Sequence, residues 1–331
     1  MDRVPPPRDV HAGPLAPRAL RITFAMATAI APSLAAFAGA RLFLTPPRRR
    51  ASRGEREALA AGDAFVVRAG RERLRAWRFG AGPPVLLVHG WGGRGGQMAA
   101  FIPPLVAAGC SVVAFDAPAH GASTGRLASG LDFAAAVSAI AARIGARAAI
   151  GHSIGAAGLG WALADGLRLD TAVMLGPPRG AGASFRQFCD ALVLPAAVRD
   201  EVRGRIRRRT GITPEDFDLP RRVPSAPVPL LVVHDRHDRV IPWEDGEAIA
   251  RAWPGAALVS TERLGHRGIL RDPSVTARVA AFVSAHLTRC TCGRLASRTV
   301  GAGVWCDACA LERELHDRSS RSIGPSGAAV A

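Results

Sequence analysis

The sequence predicts a layered α/β domain around a mostly parallel sheet with helices on both faces. Two observations carry that expectation. Short, uninterrupted apolar runs such as "PPVLLVHG", "CSVVAFDAP" and "VPLLVVHD" suit strands buried on both faces. Alanine-rich helical stretches separate most of those runs, which is the alternation of a βαβ architecture. At 331 residues, 48% of them hydrophobic and 21% charged, the chain is long enough for one large domain with appendages.

The first 62 residues read as an apolar helix followed by a charged linker. "ITFAMATAIAPSLAAFAGA", Ile22 to Ala40, holds no charge and is flanked by Arg18, Arg21 and Arg41. Three readings stay open for it. It packs on the domain or lies on a membrane surface; it anchors the chain in a bilayer; or it is a signal cleaved near "AFAGA". Membrane association through residues 22–44 follows from the first two. "LTPPRRRASRGERE" then reads as the linker.

The main domain spans residues 63–288. "AFVVRAG" and "RLRAWRFG" predict an antiparallel pair at its start. The buried-strand pattern follows in "PPVLLVHG", "CSVVAFDAP", "ARAAIGHS", "TAVMLGPP" and "VPLLVVHD", with "GAALVSTERLGH" as the last strand. The alternation breaks at about residues 179–227, where two or three helices stand with no strand between them. An insertion there predicts a lid over the strand C-termini, where open α/β sheets bind ligands. Phe185, Phe188, Leu192 and Leu194 either line an apolar pocket or pack down as helix faces. "DPSVTARVAAFVSAHL" closes the domain as an amphipathic helix, and residues 289–331 form a Cys-rich tail.

The formal net charge of +16 does not indicate a nucleic-acid partner. Every basic residue is arginine, and lysine, tyrosine and asparagine are absent, a bias that a GC-rich genome produces. No nucleic-acid-binding motif accompanies the charge.

The chemistry begins at "GHSIG", Gly151 to Gly155. A serine hydroxyl needs a base to take its proton and an unobstructed presentation. A sharp strand-to-helix turn gives the presentation: Gly151 and Gly155 let strand and helix close around Ser153, and the turn aims the Ile154 N–H at an oxyanion. The Gly-rich loop "VHGWGGRGG" supplies a second donor in the N–H of Trp91. Neither a dinucleotide fingerprint nor a Gly-Lys-Ser/Thr motif accompanies those glycines, so a nucleotide loop is the weaker reading.

With "HGWGG", "FDAPAHGAS", "GHSIG", "HDRHDRVIP" and "LGHRGIL" in this order and spacing, the chain resembles the α/β-hydrolase superfamily, in its esterase- and lipase-like branch. The resemblance covers roughly Pro84 to Leu287 and departs at Ala119, where the family usually has glycine. It implies a nucleophile–acid–histidine order. Asp238, three residues before "IP", fits the family's acid position, while Asp235 suits a turn cap. His266, after the last strand, is the implied base. His89, His120 and His152 sit in signature loops where bonding to backbone is the expected job, and His237 is expected at the surface.

The tail carries Cys290, Cys292, Cys306 and Cys309, two close pairs flanking a short hairpin-like loop. Four thiolates so placed suit one structural Zn²⁺, with no role in catalysis; in an exported protein they would form disulfides instead. Cys110 and Cys189 are isolated and read as small buried hydrophobes.

Together these features predict a serine hydrolase that cleaves a small-molecule carboxylic ester or thioester through an acyl-enzyme, without a catalytic cofactor. The expected location is cytoplasmic or at the cytoplasmic face of a membrane. An acyltransferase on the same triad, or a non-catalytic scaffold that binds a membrane or protein partner, are the alternatives.

Overall fold

A computed structural model describes residues 16–223, 227–290, 292–300 and 303–322. The chain opens with α1 (Arg18–Ile30) and α2 (Pro32–Phe43). A single helix expected across this apolar stretch is thus corrected to two. Proline lacks the N–H a continuing helix needs and its ring disfavours helical backbone in the preceding residue. Ala31 accordingly leaves the helix at φ −146°, ψ 72°, and Pro32 starts the next one. Among the described residues, no helix is long and apolar enough to cross a membrane.

The expected linker also needs correction, because it contains α3 (Arg53–Ala60). Its N-terminus is a reciprocal cap. The Ser52 hydroxyl accepts the Glu55 N–H, and the Glu55 carboxylate accepts the Ser52 N–H at 2.8 Å. Ser52-x-x-Glu55 is the pattern that announces such a start.

The central sheet is built from β1 (Asp63–Ala69), β2 (Glu72–Phe79), β3 (Pro84–Val88), β4 (Ser111–Phe115), β5 (Ala148–His152), β6 (Thr171–Leu175), β7 (Leu230–Asp235) and β8 (Ala257–Thr261). Its eight strands lie in the order β1-β2-β4-β3-β5-β6-β7-β8. β2 pairs antiparallel with β1 and β4, and the remaining pairs are parallel. Every expected strand is present, and the α/β class is as the sequence predicts.

Side-chain alternation sends one set of apolar residues to each face. Leu86 and Val88 join a core with α5 (Gly130–Ile144), α6 (Ile154–Ala164) and α9 (Trp243–Ala252). Val85 and Leu87 join the opposite core with α4 (Ile102–Ala107) and α11 (Pro273–His286). Between β6 and β7 the chain leaves the sheet as α7 (Gly182–Ala191) and α8 (Ala196–Thr210). A third core forms there: Ala35, Ala36 and Ala40 of α2 meet Phe185 and Cys189 of α7 and Val198, Val202 and Ile206 of α8. Phe185, Leu192 and Leu194 are therefore spent on holding the N-terminal helices. The described tail after α11 is a small hairpin, β9 (Arg298–Val300) and β10 (Gly303–Trp305), followed by a helix over Asp307–Ser322.

Candidate active site

Ser153 occupies the turn between β5 and α6 with φ 55° and ψ −127°, backbone that non-glycine residues rarely adopt. Two glycines make that turn possible. A Cβ on Gly151 would stand 2.5 Å from the Ala156 Cα, and one on Gly155 would stand 2.3 Å from the His89 carbonyl oxygen. The Ser153 N–H donates to the Leu175 carbonyl at 2.9 Å, which fixes the turn to β6. Among the described residues, the Ser153 hydroxyl makes no hydrogen bond and faces a cavity of about 500 Å³. Trp91 and Ile154 line the same cavity, and among the described residues neither of their backbone N–H groups makes a hydrogen bond.

The loop that carries Trp91 is held by a neutral histidine. His89 Nδ1–H donates to the Gly90 carbonyl at 2.7 Å, while Nε2 accepts the Ala117 N–H at 2.9 Å. Burial, then the neighbouring His120, pushes its pKa down to about 3. Asp116 braces the loop from the other side, accepting the Gly95 N–H at 2.8 Å and the Ala122 N–H at 2.7 Å. Ala119, where the resembling family usually has glycine, adopts a left-handed φ of 64°.

Asp238 follows the end of β7, and His266 lies in the short helix α10 (Gly265–Gly268) after β8. His266 Nδ1–H donates to Asp238 Oδ2 at 2.7 Å. Asp238 Oδ1 accepts the Val240 N–H at 2.8 Å and the Ile241 N–H at 3.0 Å. Burial alone would raise the pKa of this carboxyl. The hydrogen bonds from His234 and His266 and those backbone amides outweigh it, holding Asp238 well below the usual carboxylate range.

Asp235 does the tying. It accepts the His237 N–H at 2.9 Å, the Thr261 hydroxyl at 2.8 Å and the Leu264 N–H at 3.0 Å, fastening the β7 end to the segment that bears His266. His237 is exposed.

The imidazole of His266 is packed against the residue before Ser153. His152 Nε2–H donates to the His266 carbonyl at 2.9 Å, and the two rings are 4.7 Å apart between centroids. Burial, then the neighbouring His266, lowers the His152 pKa to about 3. No hydrogen bond joins Ser153 to His266 among the described residues. The structure thus brings together the three elements bearing Ser153, Asp238 and His266 and links the last two directly.

Two contributors escape the sequence reading. His234 Nε2 lies 3.4 Å from Asp238 Oδ2 and 3.1 Å from the Ile241 carbonyl, so a second imidazole donates toward the same carboxylate. The available signal is a histidine inside the otherwise apolar "LLVVHD". Gly176, at φ 51°, is the other: a Cβ there would stand 3.3 Å from His266 Nδ1.

The cavity walls are mainly apolar. Phe188 of α7 and Ile206 of α8 contribute, as do Phe43 and Leu44 at the end of α2. Of the four apolar side chains of the insertion singled out above, Phe188 alone reaches this cavity.

Away from the cavity, the sulfurs of Cys290, Cys292, Cys306 and Cys309 all lie within 4.8 Å of one another, with Cys292 and Cys306 3.6 Å apart. Backbone N–H groups of Cys292 and Cys306 lower the Cys290 thiol to about 6. Four thiolates around one Zn²⁺ at about 2.3 Å would stand about 3.8 Å from each other, so the donor set fits that ion.

A sheet of this order, with a strained serine after β5, a carboxylate after β7 and a histidine after β8, defines an α/β-hydrolase fold. The Alpha/beta hydrolase family matches residues 85–279, and the chain belongs to it. Among solved structures, an esterase from Pyrococcus furiosus superposes with a TM-score of 0.58 at 19% identity, covering 73% of this chain and 98% of that one. A bromoperoxidase from Bacillus anthracis gives 0.54 at 16% identity, covering 67% and 99%. At such identities the likeness is one of fold. RutD of Pseudomonas syringae pv. syringae, described as a candidate carbamate hydrolase, is 34% identical over 71 residues, 21% of this chain. That stretch spans only 27% of RutD.

Proposed function

We propose that the protein is a serine hydrolase of carboxylic esters or thioesters with an apolar acyl group, and that Ser153, His266 and Asp238 are its triad. One observation carries the reading: a strained serine whose hydroxyl is unbonded among the described residues lines an apolar cavity with Trp91 and Ile154, and the histidine after β8 is bonded to a buried carboxylate at 2.7 Å. Ser153 Oγ attacks the carbonyl carbon while its proton passes to His266 Nε2. Asp238 keeps the opposite nitrogen protonated and stabilises the imidazolium. The oxyanion accepts the N–H groups of Trp91 and Ile154. His266 then returns the proton to the leaving oxygen or sulfur as that bond breaks, leaving the acyl group on Ser153. Water, deprotonated by His266, releases the acid and restores the serine. Catalytic hydrogen bonds often tighten only with substrate in place, which accommodates the unbonded Ser153.

The helices inserted between β6 and β7 act as a lid in this reading, and α2 shares the work. Substituting Ser153→Ala is expected to lower kcat on p-nitrophenyl butyrate by about 10⁴-fold or more and to abolish labelling by a fluorophosphonate probe. Turnover or labelling that survives the substitution would remove Ser153 from the mechanism.

We also infer a structural Zn²⁺ held by Cys290, Cys292, Cys306 and Cys309. A closed four-thiolate shell has no open position for substrate, so the ion would brace the tail only. Protein purified under reducing conditions should carry about one zinc per chain by elemental analysis, and Cys306→Ser should lower that content. A metal-free wild-type chain would overturn the assignment.

A further inference from the structure

We propose that the α1–α2 pair docks the protein on an anionic lipid surface. Its inner face is committed to the third core, but its outer face is apolar and uncovered. Ile22, Met26 and Ile30 recur every four residues along α1 and are 50%, 59% and 80% exposed. On α2, Leu34 and Phe37 are 63% and 46% exposed. That spacing places each set on one side of its helix. No acidic residue occurs from Arg18 to Phe43.

The border of this face is cationic. A groove of about 340 Å³ beside α2 is lined by Arg41, Arg205, Arg208 and Arg209 together with Phe37 and Leu44. Two of its guanidinium groups are answered: Arg205 by Glu201 at 2.6 Å and Arg209 by Asp132 at 3.1 Å. Arg41 and Arg208 form no ion pair within 4.0 Å among the described residues, and Arg208 meets Glu201 only through longer-range attraction. Arg41 and Arg205 both stand over the Phe37 ring, 5.6 and 5.7 Å from its centroid. Arginines carried beside an apolar stripe are what a helix lying in a lipid interface presents: apolar side chains enter the acyl boundary while guanidinium groups meet headgroup phosphates. A net charge of +16 draws the chain toward the same surface. Leu44 lines both this groove and the large cavity, so the docked face would stand next to the proposed acyl site. The inference does not depend on that site being catalytic.

Co-sedimentation of the full chain tests it. Binding is expected to vesicles of equal parts phosphatidylcholine and phosphatidylglycerol, much more weakly to pure phosphatidylcholine, and to weaken with added salt. The double substitution Arg41→Gln, Arg208→Gln should reduce partitioning roughly 30-fold, two interfacial charges' worth. The triple substitution Ile22→Ser, Met26→Ser, Ile30→Ser should abolish it. All five positions are exposed, so the thermal melt should hardly move. A wild-type chain that stays in the supernatant with both vesicle types would overturn the proposal, as would undiminished binding by the variants. Light scattering that shows a wild-type dimer made monomeric by the triple substitution would also overturn it, because the face would then join two copies of the chain.

Discussion

Around Ser153 a missing methyl group decides the geometry. A Cβ on Gly155 would stand 2.3 Å from the His89 carbonyl oxygen, a clash, and that carbonyl belongs to the loop that presents Trp91. Backbone cannot yield as a side-chain tip would. Gly155→Ala is therefore expected to cost about 1–3 kcal/mol of stability, read as a lower urea midpoint, and to impair turnover more than folding. His234 poses a subtler case. Its ring is fully buried and reaches Asp238 Oδ2 at 3.4 Å, so it acts through that carboxylate and is a positioning residue. His234→Phe should lower kcat about tenfold, the equivalent of one charge-assisted hydrogen bond, and leave KM nearly unchanged. A parallel loss in KM would indicate a distorted cavity instead.

The helices α2, α7 and α8 behave as one unit. Gly39 lets α2 approach α8 so closely that a Cβ would stand 3.2 Å from a Val202 methyl. At the end of α2, the Phe43 ring lies edge-on to Phe185 and Phe188, with centroids 5.7 and 5.3 Å apart. That cluster makes Phe43 a wall of the cavity as well as a packing residue. Phe43→Ala should lengthen the space for an acyl chain, worth about 0.8 kcal/mol for each extra buried methylene. The expected readout is an optimum shifted toward longer chains across a series of p-nitrophenyl esters. An unchanged optimum would mean that the acyl group lies elsewhere. This element also sits outside the matched family region, which begins at residue 85.

Acid should unfold the whole molecule through its buried imidazoles. His89 and His152 are held neutral, with pKa values lowered from 6.5 to about 3. Below pH 6.5 the unfolded chain binds protons that the folded chain refuses, so stability falls as pH drops and levels off below about 3. The slope should approach roughly 1.4 kcal/mol per pH unit for each ring. Urea midpoints measured from about pH 7 down to about pH 4 check this; a flat profile would mean that the rings are not neutral. The eight strands, the turn at Ser153 and the family itself were legible in the chain, because apolar runs and turn glycines act over a few neighbouring residues. Pro32 and the Ser52–Glu55 cap were equally local, and they explain the extra helices at the N-terminus. His234 beside Asp238 and Phe43 in the cavity wall were not legible. Phe43 matters through Phe185 and Phe188, far along the chain, and His234, four residues from Asp238, through the conformation of the loop after β7; residue order alone gives neither contact. What the sequence determined was which residues could do chemistry. The tertiary structure decided which of them meet, because burial on the eight-stranded sheet and on α7–α8 brings together segments that no local rule connects.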